Sequence, residues 1–316
     1  MRRRRFLAWT LGAAACAAGC GTEHVAGGPA GARGRFSIVA GGDRWARVGE
    51  AFAAAARASG VGASPTGTRI TVTGLPALAA SELNNGQTLL DTTTPLSRLT
   101  GDVEVVVVPA NSKFADFDDF GAHLRADPSG TVLAGGPQGE PDHLLFGLIA
   151  KGLGADTRQM DYTGYPSSHE AVPALLGGKA AAAAGLLGDW RAAIDGGRVR
   201  ALAVSCARRV PGLDVPTLLE SGVRVDFADW AAAVGPEDMP EAGRESAVRM
   251  CDEVTSSASW RRACRKAGWI SIPLSGDDFR LWLTSEVERT QAVLRDLGLL
   301  ASTRATTCWG SCGNGH

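Results

Sequence analysis

The sequence has no long apolar run, no surplus of basic charge and no complete catalytic motif. The apolar stretch near its start, Phe6-Leu7-Ala8-Trp9-Thr10-Leu11-Gly12, is far short of the roughly 20 apolar residues a helix needs to cross a bilayer. With 45% hydrophobic and 21% charged residues over 316 positions, the composition also excludes a wholly disordered chain and a multi-span membrane protein. Glycine is plentiful at 41 residues but has no three-residue period, which excludes a collagen-like repeat. The 32 basic and 33 acidic residues nearly cancel, so nothing advertises a nucleic-acid partner. Gly-x-Ser-x-Gly, the phosphate-binding Gly-x-x-x-x-Gly-Lys-Ser/Thr loop and His-Glu-x-x-His are all missing. Gly41-Gly42-Asp43 lacks dinucleotide spacing. Asp142-His143 and His169-Glu170 are imaginable acid–base pairs, yet no nucleophile motif joins them, so the chain is read as no enzyme and as needing no cofactor.

What is present begins with an address. Arg2 to Arg5, a short apolar run and small residues as far as Ala18 are the parts of a secretory signal. Arg3-Arg4-Arg5-Phe6-Leu7 is similar to a twin-arginine export motif, although an arginine precedes it in place of Ser or Thr. Ala17-Ala18-Gly19-Cys20 looks like a lipobox, with Ala17 where leucine is usual; the other reading is a chance cysteine near an ordinary cleavage site. Residues 1–20 are therefore expected to be an export signal ending at a lipidated Cys20, and residues 21–34 a flexible tether. Loss of the four arginines leaves 28 basic against 33 acidic residues, a charge near −5.

Seven cysteines fit an exported chain. Cys251 and Cys264 flank the bend between two expected helices and are candidates for a disulfide, as are Cys308 and Cys312 in the tail. Cys206 is left as a buried thiol at a strand end. A zinc site at Cys308 and Cys312 near His316 lacks a second ligand pair of suitable spacing, so no metal is expected.

Strand and helix alternate through the body of the chain. Strands are expected at 36–40, 69–73, 103–108, 131–134, 159–162 and 199–204, and helices at 44–58, 114–126, 141–152, 168–176 and 188–195. The alanine run 180–184 favours a helix by propensity, but Gly177-Gly178 before it and a helix directly after it favour a short buried strand. The valines of 103–108 predict a strand covered on both faces, as in a parallel sheet with crossover helices. After Pro216 come a short extended segment at 223–227, a strand at 230–235 and helices at 241–256, 259–267 and 276–297, followed by a loose tail at 301–316.

Two Gly- or Ser-rich loops precede helices in this pattern. Gly135-Gly136-Pro137-Gln138-Gly139-Glu140 leads to the helix at Pro141, and Pro166-Ser167-Ser168 to the helix at His169. Free N–H groups and the helix dipole at such starts hold anions, which points to a carboxylate receptor; the alternative is that both are plain N-caps.

The chain resembles the extracytoplasmic solute receptors of the tripartite tricarboxylate transporter family, in particular an actinobacterial lipoprotein branch. The resemblance is carried by Thr92-Thr93-Thr94-Pro95-Leu96-Ser97-Arg98-Leu99, Glu104 to Pro109, Gly135-Gly136-Pro137 and Gly139 to Leu145. It continues through Tyr162-Thr163-Gly164-Tyr165, Glu170 to Lys179, Arg198 to Val204, Arg208 to Leu218 and Phe227-Ala228-Asp229-Trp230.

The resemblance implies a two-lobed α/β, periplasmic-binding-protein-like fold, with three-layer lobes, mainly parallel sheets and a helical C-terminal part. Lobe one takes 35–108 and 218–300, and lobe two takes 109–217. It implies a cleft holding a di- or tricarboxylate, handed on to the membrane permease subunits of the transporter by a receptor lipid-anchored to the outer face of the cell membrane. Its ligand-binding positions are Gly41, Gly42 and Asp43 from lobe one, facing Gly135, Gly136, Gln138, Gly139, His143, Tyr165, Ser167, Ser168 and Asp189 from lobe two. Only Ala40-Gly41-Gly42 stands before Asp43 where the family has a longer Pro- and Gly-rich loop, and Leu75-Pro76 leads into Ala77-Leu78-Ala79-Ala80, so lobe one is expected to be shortened. An accessory surface lipoprotein without solute, or an enzyme on the same scaffold, are the other functions such a chain could carry.

Overall fold

Residues 34–300, apart from 63, 85 and 86, are described by a computed structural model. The export signal, Cys20, most of the tether, Cys308 and Cys312 lie outside the described residues. Phe36–Ala40 is strand β1, followed by a short 3-10 turn and helix α1 (Ala46–Ala58), whose Val48, Phe52 and Ala56 are buried as their helical spacing predicts. β2 (Thr68–Gly74) leads into α2 (Leu75–Asn84) and α3 (Leu89–Thr92), and then β3 (Thr94–Asp102) runs almost directly into β4 (Glu104–Pro109).

The second half of the alternation follows. α4 (Phe117–Ala126) is capped by Asp116, which accepts the Asp119 N–H at 2.9 Å, and leads to β5 (Leu133–Gly135). Next come α5 (Pro141–Leu153), β6 (Tyr162–Gly164), α6 (Ala171–Leu176), β7 (Ala182–Leu186), α7 (Leu187–Asp195) and β8 (Val199–Val204). The alanine run is a strand, because pairing on both sides with β5 and β4 outweighs its helical propensity. After a crossing segment, β9 (Asp229–Gly235), α8 (Glu241–Thr255), α9 (Ala258–Ala267), β10 (Ile270–Ser275) and α10 (Gly276–Asp296) complete the described chain.

The strands form two five-stranded sheets, β1-β2-β9-β3-β10 and β6-β5-β7-β4-β8. Each lobe thus has five strands, and the expected shortening of lobe one does not leave its sheet smaller than that of lobe two. The expectation of mainly parallel sheets is corrected. Three of the four pairings in the first sheet and two of the four in the second are antiparallel.

The reason lies in the crossings. β1, β2 and β3 end at the interlobe cleft, and so do β5 to β8. A chain that leaves one sheet there enters the other running away from the cleft, so β4 and β9 are reversed. Each is inserted in the interior of its sheet, where one reversed strand makes two antiparallel pairings, and the edge strand β10, which also runs opposite to β3, adds the fifth. The valines of β4 are buried on both faces as predicted, but burial records covering helices and not strand direction. β4, expected in lobe one, is hydrogen-bonded into the second sheet.

Cys251 on α8 and Cys264 on α9 are both buried free thiols, so the disulfide expected between them is not formed. Both side chains pack into the apolar core of lobe one with Phe52 and Trp260. Among the described residues no helix is long and apolar enough to cross a membrane.

Candidate functional site

The cleft side of lobe two is built where β5, β6 and β7 end side by side. From β5 the chain turns through Gly135 to Glu140 into α5. From β6 it passes Tyr165 to Ser167 into a 3-10 turn at Ser168–Glu170. From β7 it enters α7 at once, with Asp189 in the first turn. None of these three starts is capped by its own N-cap side chain. The structure therefore brings Gly135, Gly136, Gly139, His143, Ser168 and Asp189 to one end of one sheet. Gly41, Gly42 and Asp43 follow β1 at the facing end of lobe one and are exposed.

The glycine-rich loop is held from within. The Gly136 N–H donates to Asp142 Oδ2 at 2.6 Å, and the Gly136 carbonyl accepts from the Tyr162 hydroxyl at 2.7 Å. The Gly139 N–H donates to His143 Nδ1 at 3.0 Å, and Gly139 sits at φ 81, in the left-handed region. The Gly41 N–H is likewise spent on the Val72 carbonyl at 2.7 Å. These expected donors are thus occupied. Tyr165 packs against the core of lobe two, and Gln138 is exposed, its amide reaching only the Tyr162 carbonyl at 3.5 Å.

His143 is not a cation here. Burial lowers its pKa to about 4, its Nδ1 accepts a hydrogen bond, and its ring stacks on Tyr162 with centroids 4.1 Å apart. A neutral ring protonated on Nε2 fits all three. The Asp142 carboxylate makes no hydrogen bond to the ring; it instead takes the Ser168 hydroxyl at 2.7 Å beside the Gly136 N–H. Those two hydrogen bonds favour the carboxylate, but burial outweighs them and raises Asp142 to about 6.

Arg44, which motif reasoning passed over, is the cation of the cleft. It follows Asp43 and reaches across to lobe two, donating to Glu140 Oε2 at 2.7 Å, while its other arm donates to Asp229 Oδ2 of lobe one at 2.9 Å. Desolvation opposes its charge, but Asp229 and Glu140 outweigh it and raise its pKa. Asp189 lies close enough to be influenced by Arg44 and His169, although burial dominates and raises its pKa. Nothing in the sequence marks Arg44, Glu140 and Asp229 as partners, because 96 and 185 positions separate Arg44 from the other two. Among the described residues no group of three His, Cys, Asp or Glu is placed to hold a metal.

Close approach also fixes Gly135. A Cβ there would stand 2.6 Å from the Tyr162 hydroxyl oxygen and 2.8 Å from Asp142 Cβ. Gly135→Ala is expected to cost about 1–3 kcal/mol by pushing both side chains off the loop. Its urea midpoint checks this, and an unchanged midpoint would mean that the loop yields freely.

A family profile described as "Tripartite tricarboxylate transporter family receptor" matches residues 71–299. A TctC solute-binding protein from Polaromonas superposes with a TM-score of 0.66 at 19% identity, covering 83% of this chain and 96% of that one. MatC from Rhodopseudomonas palustris, solved with bound malate, gives 0.58 at 16% identity, covering 85% and 99%. An R. palustris protein solved with adipate gives 0.60 at 21% identity, covering 78% and 83%. In sequence, the chain is 26% identical over 201 residues to the UPF0065 protein of the tcbD-tcbE intergenic region of a Pseudomonas species, covering 63% of this chain and 59% of that relative's length.

Proposed function

The chain belongs to the tripartite tricarboxylate transporter receptor family, and from that membership we propose that it captures a small di- or tricarboxylate between its lobes. The observation that carries this reading is the meeting of three helix starts, at α5, at the 3-10 turn before α6 and at α7, none capped by its own N-cap side chain. The first-turn N–H groups and helix dipole at such starts stabilise anions. Arg44 faces them from lobe one. Two structures of the same fold carry malate and adipate, which supports this ligand class. In the same proposal, the signal directs the chain out of the cytoplasm by the twin-arginine route, Cys20 carries its lipid anchor, and the bound acid passes to the membrane permease subunits.

The carboxylates already in the cleft shape how an acid enters it. While Asp142 is ionised it holds both the Gly136 N–H and the Ser168 hydroxyl, and it repels a second carboxylate. Protonated, it becomes a donor, and the Ser168 hydroxyl is free to turn to the ligand. Binding is therefore coupled to proton uptake.

A thermal-shift screen of citrate, succinate, malate and tartrate, with sugars and amino acids as controls, tests the ligand class. A selective rise with one acid is expected; a cooperatively melting protein that responds to none of them rejects it. Calorimetry with tartrate then tests the coupling. With Asp142 raised to about 6, affinity is expected to tighten roughly tenfold from about pH 7.5 to about pH 5.5. Asp142→Asn should be flat over that range. A pH-independent affinity in the unaltered protein would remove Asp142 from the mechanism.

A further inference from the structure

A cavity of about 920 Å³ opens at the opposite edge of the interlobe region from the site above. The glycine-rich loops follow β1, β5 and β6, which lie at or near one edge of the two sheets. The cavity is walled by β3 and the edge strand β10, by α10, by the loop after the edge strand β8, and by Leu187, Gly188 and Arg191 of α7, whose start borders both sites. Both crossing segments, at Asp102–Val103 and Asp226–Ala228, contribute to its lining. Its size suits a small-molecule site.

Its chemistry is cationic on an apolar ground. Arg98, Arg191, Arg208, Arg209 and Arg289 line it, against Asp102, Asp226 and Glu286. Arg191 and Arg209 pair with Asp195, Asp214 and Glu220, and Arg289 pairs with Glu286. Arg98 is different. Its Nε donates to the Ile272 carbonyl at 2.9 Å, and its guanidinium lies 4.3 Å from the Trp282 ring centroid. Among the described residues no carboxylate pairs with it, and desolvation lowers its pKa against the weaker pull of Glu286 and Asp226. Trp282 is itself fixed by Trp230 and Phe279, with centroids 5.3 Å and 5.9 Å away. The planar fork of Arg98 is thus pre-oriented and lacks an anion. Around it stand Ile270, 38% exposed, with Ile272, Leu187, Val210 and Pro211, an apolar bed that a fully hydrated inorganic anion would not use.

We propose that this cavity is a second ligand site, taking an organic carboxylate with a flat apolar body, its carboxylate on Arg98 and its body against Trp282 and the isoleucines of β10. Arg208, exposed at the rim and without a partner among the described residues, adds a second positive charge. This proposal does not rest on the function proposed for the glycine-rich site, although the two sites share the start of α7 as a wall.

Calorimetric titration of the full chain with naphthoate tests it, with naphthol as the uncharged counterpart. Saturable naphthoate binding is expected, with naphthol at least roughly tenfold weaker. Arg98→Gln should weaken naphthoate roughly tenfold, and Arg208→Ala, which removes an exposed side chain and leaves folding intact, by roughly threefold. Asp142→Asn, in the other site, should leave it within about twofold. Equal affinity for naphthol, unchanged affinity in both arginine variants, loss of binding in Asp142→Asn, or no saturable heat up to about 10 mM would each overturn the proposal.

Discussion

Replacing Glu104 by methionine is expected to stabilise the protein by about 1–3 kcal/mol, an unusual direction for a core substitution. Glu104 opens β4 opposite Leu186 and is fully buried. Its backbone N–H reaches Ser205 Oγ at 3.0 Å, but neither carboxyl oxygen has a hydrogen-bond partner among the described residues. Burial first, and then Asp142 and Asp229, push its pKa well above the usual value, against Arg44. An unbranched apolar side chain of similar length removes the unmet desolvation cost.

The pH dependence carries the same sign. An acid raised in the folded state keeps a proton that the unfolded chain has released, so stability falls as pH climbs from the unfolded value to the folded one. Glu104 does this from 4.5 upward, Asp142 from 3.8 to about 6, and Asp102, raised mainly by burial and then by Asp229, from 3.8 to about 7. For fully buried Asp142 alone this amounts to about 3 kcal/mol. His143 opposes them. Lowered from 6.5 to about 4, it stays neutral where the unfolded ring takes up a proton, so it costs stability as pH falls through that window. These three acids, joined by Asp189, Asp229 and Glu286, which burial also raises, outweigh the one histidine and leave a net loss of stability between about pH 5 and about pH 7. Glu104→Met should be more stable than the parent throughout, with a shallower slope. Urea midpoints at about pH 5 and about pH 7.5 check both statements. A variant less stable than its parent would mean that the buried oxygens are satisfied in solution.

Arg44→Ala is expected to cost about 1–3 kcal/mol and to loosen the lobes. The guanidinium bridges Glu140 of lobe two and Asp229 of lobe one, and Asp229 is the more buried, with a side chain 10% exposed against 32% for Glu140. Its removal leaves Asp229 unpaired near Glu104 and Asp142, both of which already feel its charge. Arg44 itself is 39% exposed, which places the cost below that of a fully buried pair. Glu140→Gln should cost less, because the Asp229 pair survives. Small-angle scattering should show a larger radius of gyration for Arg44→Ala, and tartrate affinity should fall at least roughly tenfold with the loss of the cleft cation. Unchanged scattering and unchanged affinity would mean that Arg44 neither holds the lobes nor meets the ligand.

Much of this molecule was legible in its residues. Helix periodicity placed α1, α8, α9 and α10, the valine run placed β4, and β8 fell on the predicted residues Val199–Val204. Motif order gave the family and the loops after β5, β6 and β7. β3 and β10 had no clear pattern of their own; β10 alternates poorly, with Pro273 inside it, and it is an edge strand. Strand direction was also misread, because an apolar strand buried on both faces looks the same whichever way it runs.

The sequence by itself determined which segments are helix or strand over most of the chain, which family they spell, and which glycine- and serine-rich turns lie at the ligand end. Those are local properties, set by periodicity, capping and turn chemistry. Only the tertiary structure decided that the loop donors at Gly136 and Gly139 are already taken, that His143 is neutral, that Arg44 ties the lobes, and that Arg98 waits against Trp282 without an anion. Each of these depends on groups far apart in the chain, and on burial that changes what a charge or a hydrogen bond costs, which no spacing along the sequence records.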